Sequence, residues 1–222
     1  MTNQIWIAID GPAGSGKSSI ANKLTNYLPD FIHINTGAFY RTIAYYFLVN
    51  KIDYKDEKIR IDNLEKIQLD FNSNNEIIIT SQNNLNANKF IYNEEIAKIA
   101  SEIAIYPEIR TKINNILKQI ITNKNIIMDG RDIGTVVLPN ANLKIFIDAD
   151  VKTRALRRLK EEKLDESKLE KIIEIINQRD HNDYNRPIGA LKIADDAIVI
   201  KNDDLSIDDC CKLIVSHLKK LN

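Results

Sequence analysis

A lysine and a serine close a run of small residues, Gly11-Pro12-Ala13-Gly14-Ser15-Gly16-Lys17-Ser18, with Ser19 directly after it. In the spacing Gly-x4-Gly-Lys-Ser, small residues turn the backbone so that several N–H groups point inward at phosphate oxygens. The lysine then reaches the β- and γ-phosphates, and the serine hydroxyl can ligate Mg²⁺. The chemistry indicated is nucleotide phosphate handling, with Gly11 to Ser19 as the donor-binding residues and Ser18 as the metal ligand. A phosphate loop alone leaves GTPases, motor ATPases and small-molecule kinases open.

Three further constellations narrow the choice. Asn35-Thr36-Gly37-Ala38-Phe39-Tyr40-Arg41 follows an apolar strand-length segment, where an open α/β sheet places its ligand crevice. Arg41 there is suited to grip a phosphate as a planar fork, with hydroxyls from Thr36 or Tyr40 beside it. Asp129-Gly130-Arg131-Asp132-Ile133-Gly134-Thr135 follows the apolar Ile126-Ile127-Met128 and faces the same end of a sheet. In Arg179-Asp180-His181-Asn182-Asp183-Tyr184-Asn185-Arg186, the residues Arg179, Asp183 and Arg186 fall at helical offsets and can share one face.

The elements that must hold these residues are legible as hydrophobic pattern. Strand-length apolar segments recur at Ile5–Ile9, Phe31–Ile34, Ile126–Met128, Leu143–Ile147 and Ala197–Ile200, with helical patterns between most of them. That alternation predicts a parallel sheet covered on both faces. A helix is expected from Lys17 toward Leu28, ended by Pro29. The interval from Thr36 to Asn125 exceeds one crossover helix, so an insertion is expected. It holds short strands at Gln68–Phe71 and Glu76–Thr80, and then helices opening at Asn93 and Pro107. Asp150–Lys163 and a following helix with Leu169, Ile172, Ile173 and Ile176 predict a helical hairpin. A last helix starts at Ser206 and turns Leu213, Ile214 and His217 or Leu218 inward.

Composition sets the outer bounds. With 222 residues, 44% of them hydrophobic, the chain can bury one good-sized core as a single domain with excursions. Thirty-one basic and 31 acidic residues cancel, so no overall basic field favours nucleic acid. No apolar run reaches the roughly 20 residues that cross a bilayer. Met1-Thr2-Asn3-Gln4 lacks the features of a signal peptide, so a cytoplasmic protein is expected, away from membranes. Cys210 and Cys211 are adjacent in the amphipathic final helix, where burial is a better expectation than a disulfide or zinc. Nothing announces a dimer, and monomer is the default.

Gly11–Ser18, Asn35–Arg41, Tyr106-Pro107-Glu108-Ile109-Arg110, Gly130–Thr135 and Arg179–Arg186 together resemble the ordered motifs of the bacterial cytidylate kinases, across nearly the whole chain. The resemblance implies an adenylate-kinase-like, three-layer α/β P-loop kinase core with a five-stranded parallel sheet. The core would comprise residues 1–61, 98–150 and 166–222, with a small β-containing nucleoside-monophosphate-binding insert at 62–97 and a helical lid at 151–165. It implies Mg²⁺-assisted transfer of the ATP γ-phosphoryl group to CMP or dCMP. Carried over by position, Arg41 and Arg131 hold the acceptor phosphate. Arg110, Asp132 and Arg186 meet the cytosine edge, and Ser101, Arg179 and Asp183 the sugar.

Phosphoryl transfer needs alignment and charge compensation more than an activated nucleophile. The catalytic set expected is therefore Lys17, Arg131, Asp132 and Arg157, with Arg154, Arg157 and Arg158 reaching the donor from the lid. The chain departs from the family at Asn35, often Asp there, at Tyr92, usually Arg, and at Tyr184, frequently Ser. Rival readings are a kinase for another monophosphate such as UMP, or a GTPase switch. For the latter, Asn123-Lys124-Asn125-Ile126 lacks the aspartate of a guanine reader.

Overall fold

The computed structural model describes residues 4–72 and 75–221. Its backbone divides into two compact units, one comprising the chain up to Ile34 and from Asn125 onward, the other Asn35–Lys124. The expected insert, 62–97, lies inside the second unit.

The first unit is built on a parallel sheet of five strands in the order β2-β6-β1-β7-β8. These are β1 (Trp6–Asp10), β2 (Phe31–Asn35), β6 (Asn125–Gly130), β7 (Leu143–Asp148) and β8 (Ile198–Lys201). All five apolar segments read from the sequence are strands, each shifted or extended by a residue or two. In the central β1, Trp6 pairs with Ile126 on one side and Ile7 with Leu143 on the other. Ile7, Ala8 and Ile9 are fully buried. A strand covered on both faces carries a continuous apolar run, because neither side of the pleat meets water.

Helices α1 (Lys17–Leu24) and α8 (Ile207–Lys219) close one face of this sheet. Ile20 and Leu24 interdigitate there with Ile7, Ile9, Ile145 and Ile214. Helix α1 stops at Leu24 and does not run to Leu28, because the N–H groups of Thr25, Asn26 and Tyr27 turn to the carbonyls three residues back, those of Asn22, Lys23 and Leu24, at 3.3, 3.0 and 3.0 Å. Helix α8 starts where Ser206 predicts, with Ser206 and Asp209 forming a reciprocal capping box. Its inner face carries Cys210, Cys211, Ile214 and Leu218, whereas Leu213, expected inside, is exposed. Two adjacent cysteines occupy the inward arc, and that phase leaves Leu213 outside. The hairpin consists of α6 (Val151–Glu162) and α7 (Leu169–Asn185), joined face to face by Ala155, Leu159, Ile172 and Ile176.

The second unit holds α2 (Thr36–Val49), α3 (Glu57–Lys66), α4 (Glu94–Ile103) and α5 (Pro107–Ile120). A small antiparallel sheet comprises β3 (Leu69–Phe71), β4 (Ile77–Ile79) and β5 (Leu85–Asn86). Asn93 caps α4 by accepting the Ile96 N–H at 2.9 Å, and Pro107 occupies the first turn of α5, as the sequence predicts. Helices α2 and α3 were not anticipated from the pattern. Asn35 and Asp56 cap them, accepting from Ala38 and Ile59. Helix α2 packs on α4, with Phe39, Ile43 and Phe47 buried on the one and Ile96, Ala100 and Ile103 on the other.

Candidate functional site

The phosphate loop joins β1 to α1 through backbone conformations that only glycine adopts cheaply. At Gly11, with φ of 154°, a β-carbon would stand 2.1 Å from the Ile147 carbonyl oxygen. Gly16, with φ of 84°, caps α1 in the left-handed region. Lys17 is buried and donates Nζ–H to the Pro12 carbonyl at 3.0 Å. Burial, with the positive charge of Arg131 adding to it, holds the Lys17 ammonium well below its ordinary range.

Two braces from the rest of the first unit grip this loop. Arg154 on α6 is buried, and donates to the Ala149 and Ala13 carbonyls at 3.0 and 2.9 Å. It also pairs with Asp180 of α7 at 2.6 Å, while the Ala13 N–H donates to the other oxygen of Asp180 at 3.3 Å. The second brace is Asn202, just beyond β8, whose amide donates to the Ser15 carbonyl at 2.8 Å. Arg157 in turn donates to both the side-chain and the main-chain oxygens of Asn202, at 3.1 and 2.6 Å. Of the hairpin arginines expected to reach the donor, Arg154 thus supports the loop's peptide and Arg157 stands beside Gly16. Arg158 pairs with Glu162 at 2.7 Å in an i,i+4 arrangement.

At the end of β6, Asp129 accepts the Ser18 hydroxyl at 2.6 Å through Oδ2 and lies 2.7 Å from His33 Nε2 through Oδ1. The chain then enters a π-helical turn, Ile133–Val137. Asp10, the last residue of β1, accepts the N–H groups of Ile133 and Gly134 at 2.8 and 2.7 Å. Burial pushes its carboxyl up to about 6, against the lowering effect of those two bonds. Asp10 thereby anchors the segment that presents Arg131 and Asp132.

Arg131 donates Nε–H to Asp183 of α7 at 2.7 Å. Arg186 also faces Asp183, at 3.5 Å, and Asp132 at 3.8 Å. Burial alone would raise Asp183, but Arg131 and then Arg186 outweigh it and hold the carboxyl below its ordinary range. The sequence-predicted residues Arg131, Asp132, Asp183 and Arg186 therefore form one connected network of alternating charge, and Arg179 adds positive charge near Asp183.

Within the second unit, Thr36 opens α2 and is buried. Arg41 on the same helix donates to the Ile91 carbonyl at 3.2 Å, its guanidinium 5.6 Å from the centre of the Tyr92 ring. Arg110 on α5 is buried, donates to the Ala104 carbonyl at 3.2 Å and lies 5.9 Å from the Tyr40 ring centre. Tyr92 thus stands as a ring beside Arg41. Ser101 sits on α4, half-buried. Sequence reasoning did not single out Asp10, His33, Asp180 or Asn202. Asp10 borders the loop, Asp180 lies inside the Arg179–Arg186 motif and His33 stands two residues before Asn35, so proximity is a usable signal for those three, whereas Asn202 carries none.

A phosphate loop between the first strand and first helix of a parallel sheet, with clustered arginines at the carboxyl ends of the strands, defines a P-loop phosphotransferase. Residues 7–220 match the family described as cytidylate kinase. A cytidylate kinase of Aster yellows witches'-broom phytoplasma is 42% identical over 96% of this chain and 95% of its own length. One from Mycoplasma genitalium is 43% identical over 97% of both chains. The chain belongs to the cytidylate kinase family and is a nucleoside monophosphate kinase. A crystal structure of an uncharacterized protein from Eubacterium ventriosum shares the fold, with a TM-score of 0.53 at 14% identity over 97% of this chain and 99% of that one. Among the described residues no helix is long and apolar enough to cross a membrane.

Proposed function

We propose that the protein transfers the γ-phosphoryl group of ATP to CMP and dCMP, and that the residues assigned from the sequence divide this work. The observation that carries the reading is the Arg131–Asp183–Arg186–Asp132 network beside a phosphate loop whose Lys17 is buried. Burial disfavours the Lys17 ammonium, so phosphate oxygens approaching it compensate a charge the protein leaves poorly solvated, and Lys17 responds to the donor. Gly11 to Ser19 cradle the donor phosphates through backbone N–H groups, and Arg157, beside Gly16, meets the nucleotide from α6. Arg41 and Arg131 hold the acceptor phosphate. Arg110, Asp132 and Arg186 read the cytosine edge, and Ser101, Arg179 and Asp183 the sugar.

Ser18 and Asp129 fit a magnesium ion, because the Ser18 hydroxyl gives its proton to the carboxylate and its oxygen is an acceptor suited to a cation. Mg²⁺ when bound compensates the charge that spreads over the phosphoryl oxygens during transfer. Thr36 and Tyr40 supply hydroxyls near the acceptor. A base pocket lined by fixed donors and acceptors rejects a misfit base by leaving buried polar groups unpaired.

The enzyme works as a monomer in the cytoplasm, which gel filtration with light scattering and cell fractionation test. The activity is tested by a panel of CMP, dCMP, UMP and AMP with coupled ADP detection. CMP and dCMP are expected to be the preferred acceptors. Arg131→Ala should lower kcat/KM for CMP by about 100-fold, as loss of a charge donor to a transferring group does. Near-normal kcat/KM in that variant removes Arg131 from the acceptor site.

A further inference from the structure

Asp129 has two oxygens with different tasks. Oδ2 receives the Ser18 proton at 2.6 Å, and Oδ1 faces His33 Nε2 at 2.7 Å. The Asp129 side chain is 2% exposed and that of His33 15%, so water competes little for either contact. The torsion that turns a carboxylate about its own axis is broad and nearly two-fold. Asp129 therefore does not by itself determine how its plane meets Ser18, and a donor on the second oxygen constrains it. His33 projects from β2 and Asp129 from β6, which are neighbours in the sheet, so the imidazole is held by regular backbone. Donation from Nε2 requires the proton on that nitrogen.

We propose that His33 is a positioning residue for the metal of the donor nucleotide: by donating Nε2–H to Asp129 Oδ1 it sets the plane of the carboxylate that holds the Ser18 proton, and so keeps the Ser18 lone pairs turned toward Mg²⁺. This rests on the assignment of Ser18 as the metal ligand. Residues that orient metal-binding groups through one hydrogen bond typically change metal affinity by about 10-fold or more when removed.

The test uses Mn²⁺ as probe, with affinity for the enzyme–ADP complex read from the free-ion electron paramagnetic resonance signal. His33→Leu should weaken Mn²⁺ binding about 10-fold, while His33→Gln, which retains a donor, recovers most of it. ADP affinity in EDTA should be the same in all three proteins. Wild-type Mn²⁺ affinity in His33→Leu, or equal losses in the two variants, overturns the proposal. Ser18→Ala separates the two levels. Unchanged Mn²⁺ affinity there removes both the Ser18 assignment and this inference, whereas a loss in Ser18→Ala without one in His33→Leu removes the inference alone. Should His33→Leu fail to fold, nitrogen-15 spectra of the wild-type imidazole decide, because a proton resident on Nδ1 and not on Nε2 is incompatible with the proposed donation.

Discussion

Arg131 and Asp183 form an ion pair 2.7 Å long with side chains 15% and 7% exposed, although they are 52 residues apart in the chain. Neither charge could be withdrawn this far alone, because an unpaired buried ion costs several kcal/mol. Replacing Asp183 with Asn should therefore cost about 3 kcal/mol in urea unfolding and raise KM for CMP. The sign of its pH dependence follows from the lowered carboxyl: the contribution is present above pH about 4 and is lost as pH falls further. The wild type should lose its advantage over Asp183→Asn on acidification.

Arg154 and Arg158 are one turn apart on α6 and should behave in opposite ways. Arg154→Met leaves Asp180 and the Ala13 carbonyl without their buried cation, and should lower stability by about 3 kcal/mol. Arg158→Ala breaks a pair whose carboxylate partner is 45% exposed, so a change below about 0.5 kcal/mol is expected. Thermal unfolding of both variants checks this, and equal effects would contradict the brace.

Asp10 runs opposite to Asp183. Its folded carboxyl, raised to about 6, binds a proton more readily than in the unfolded chain, so the folded state holds the extra proton between pH about 4 and 6. The contribution is fully present below about pH 4 and lost as pH rises through 6. In denaturant titrations, the stability of wild type relative to Asp10→Asn should fall by roughly 2 kcal/mol across that window.

Cys210 and Cys211 are both fully buried, and burial pushes the Cys211 thiol up to about 11. A thiol without thiolate character is a poor nucleophile. The native protein should react slowly with Ellman's reagent and release two equivalents only on unfolding. Prompt reaction of either thiol would show that α8 detaches from the sheet.

The sequence carried the sheet because each buried strand is a continuous apolar run, and it carried the loop because glycine, lysine and serine are placed by local backbone needs. Asn93 and Ser206 announced helices for the same reason, since capping is settled within four residues. The braces were illegible because Asp180 reaches Ala13, and Asn202 reaches Ser15, across spans that no local pattern encodes. Arg154, Arg157 and Arg158 share one charged helix, and only packing against α7 shows which one turns inward. Helix α2 is not legible because Thr36, Phe39, Thr42, Tyr46 and Phe47 are poor helix formers whose burial overrides propensity.

The strand order has a consequence for how the chain acquires its structure. β1 and β2 are made before their neighbours, since Trp6 pairs with Ile126 and Ile7 with Leu143, and β2 borders β6. Neither early strand has a neighbour until residues beyond Asn125 are made, while Asn35–Lys124 can condense on its own local contacts. Long-range parallel pairing is slow and leaves apolar edges unprotected meanwhile. The nascent chain is therefore expected to carry two orphan hydrophobic strands past a ready-folded middle, and those strands stay open to chaperones until β6 and β7 are made.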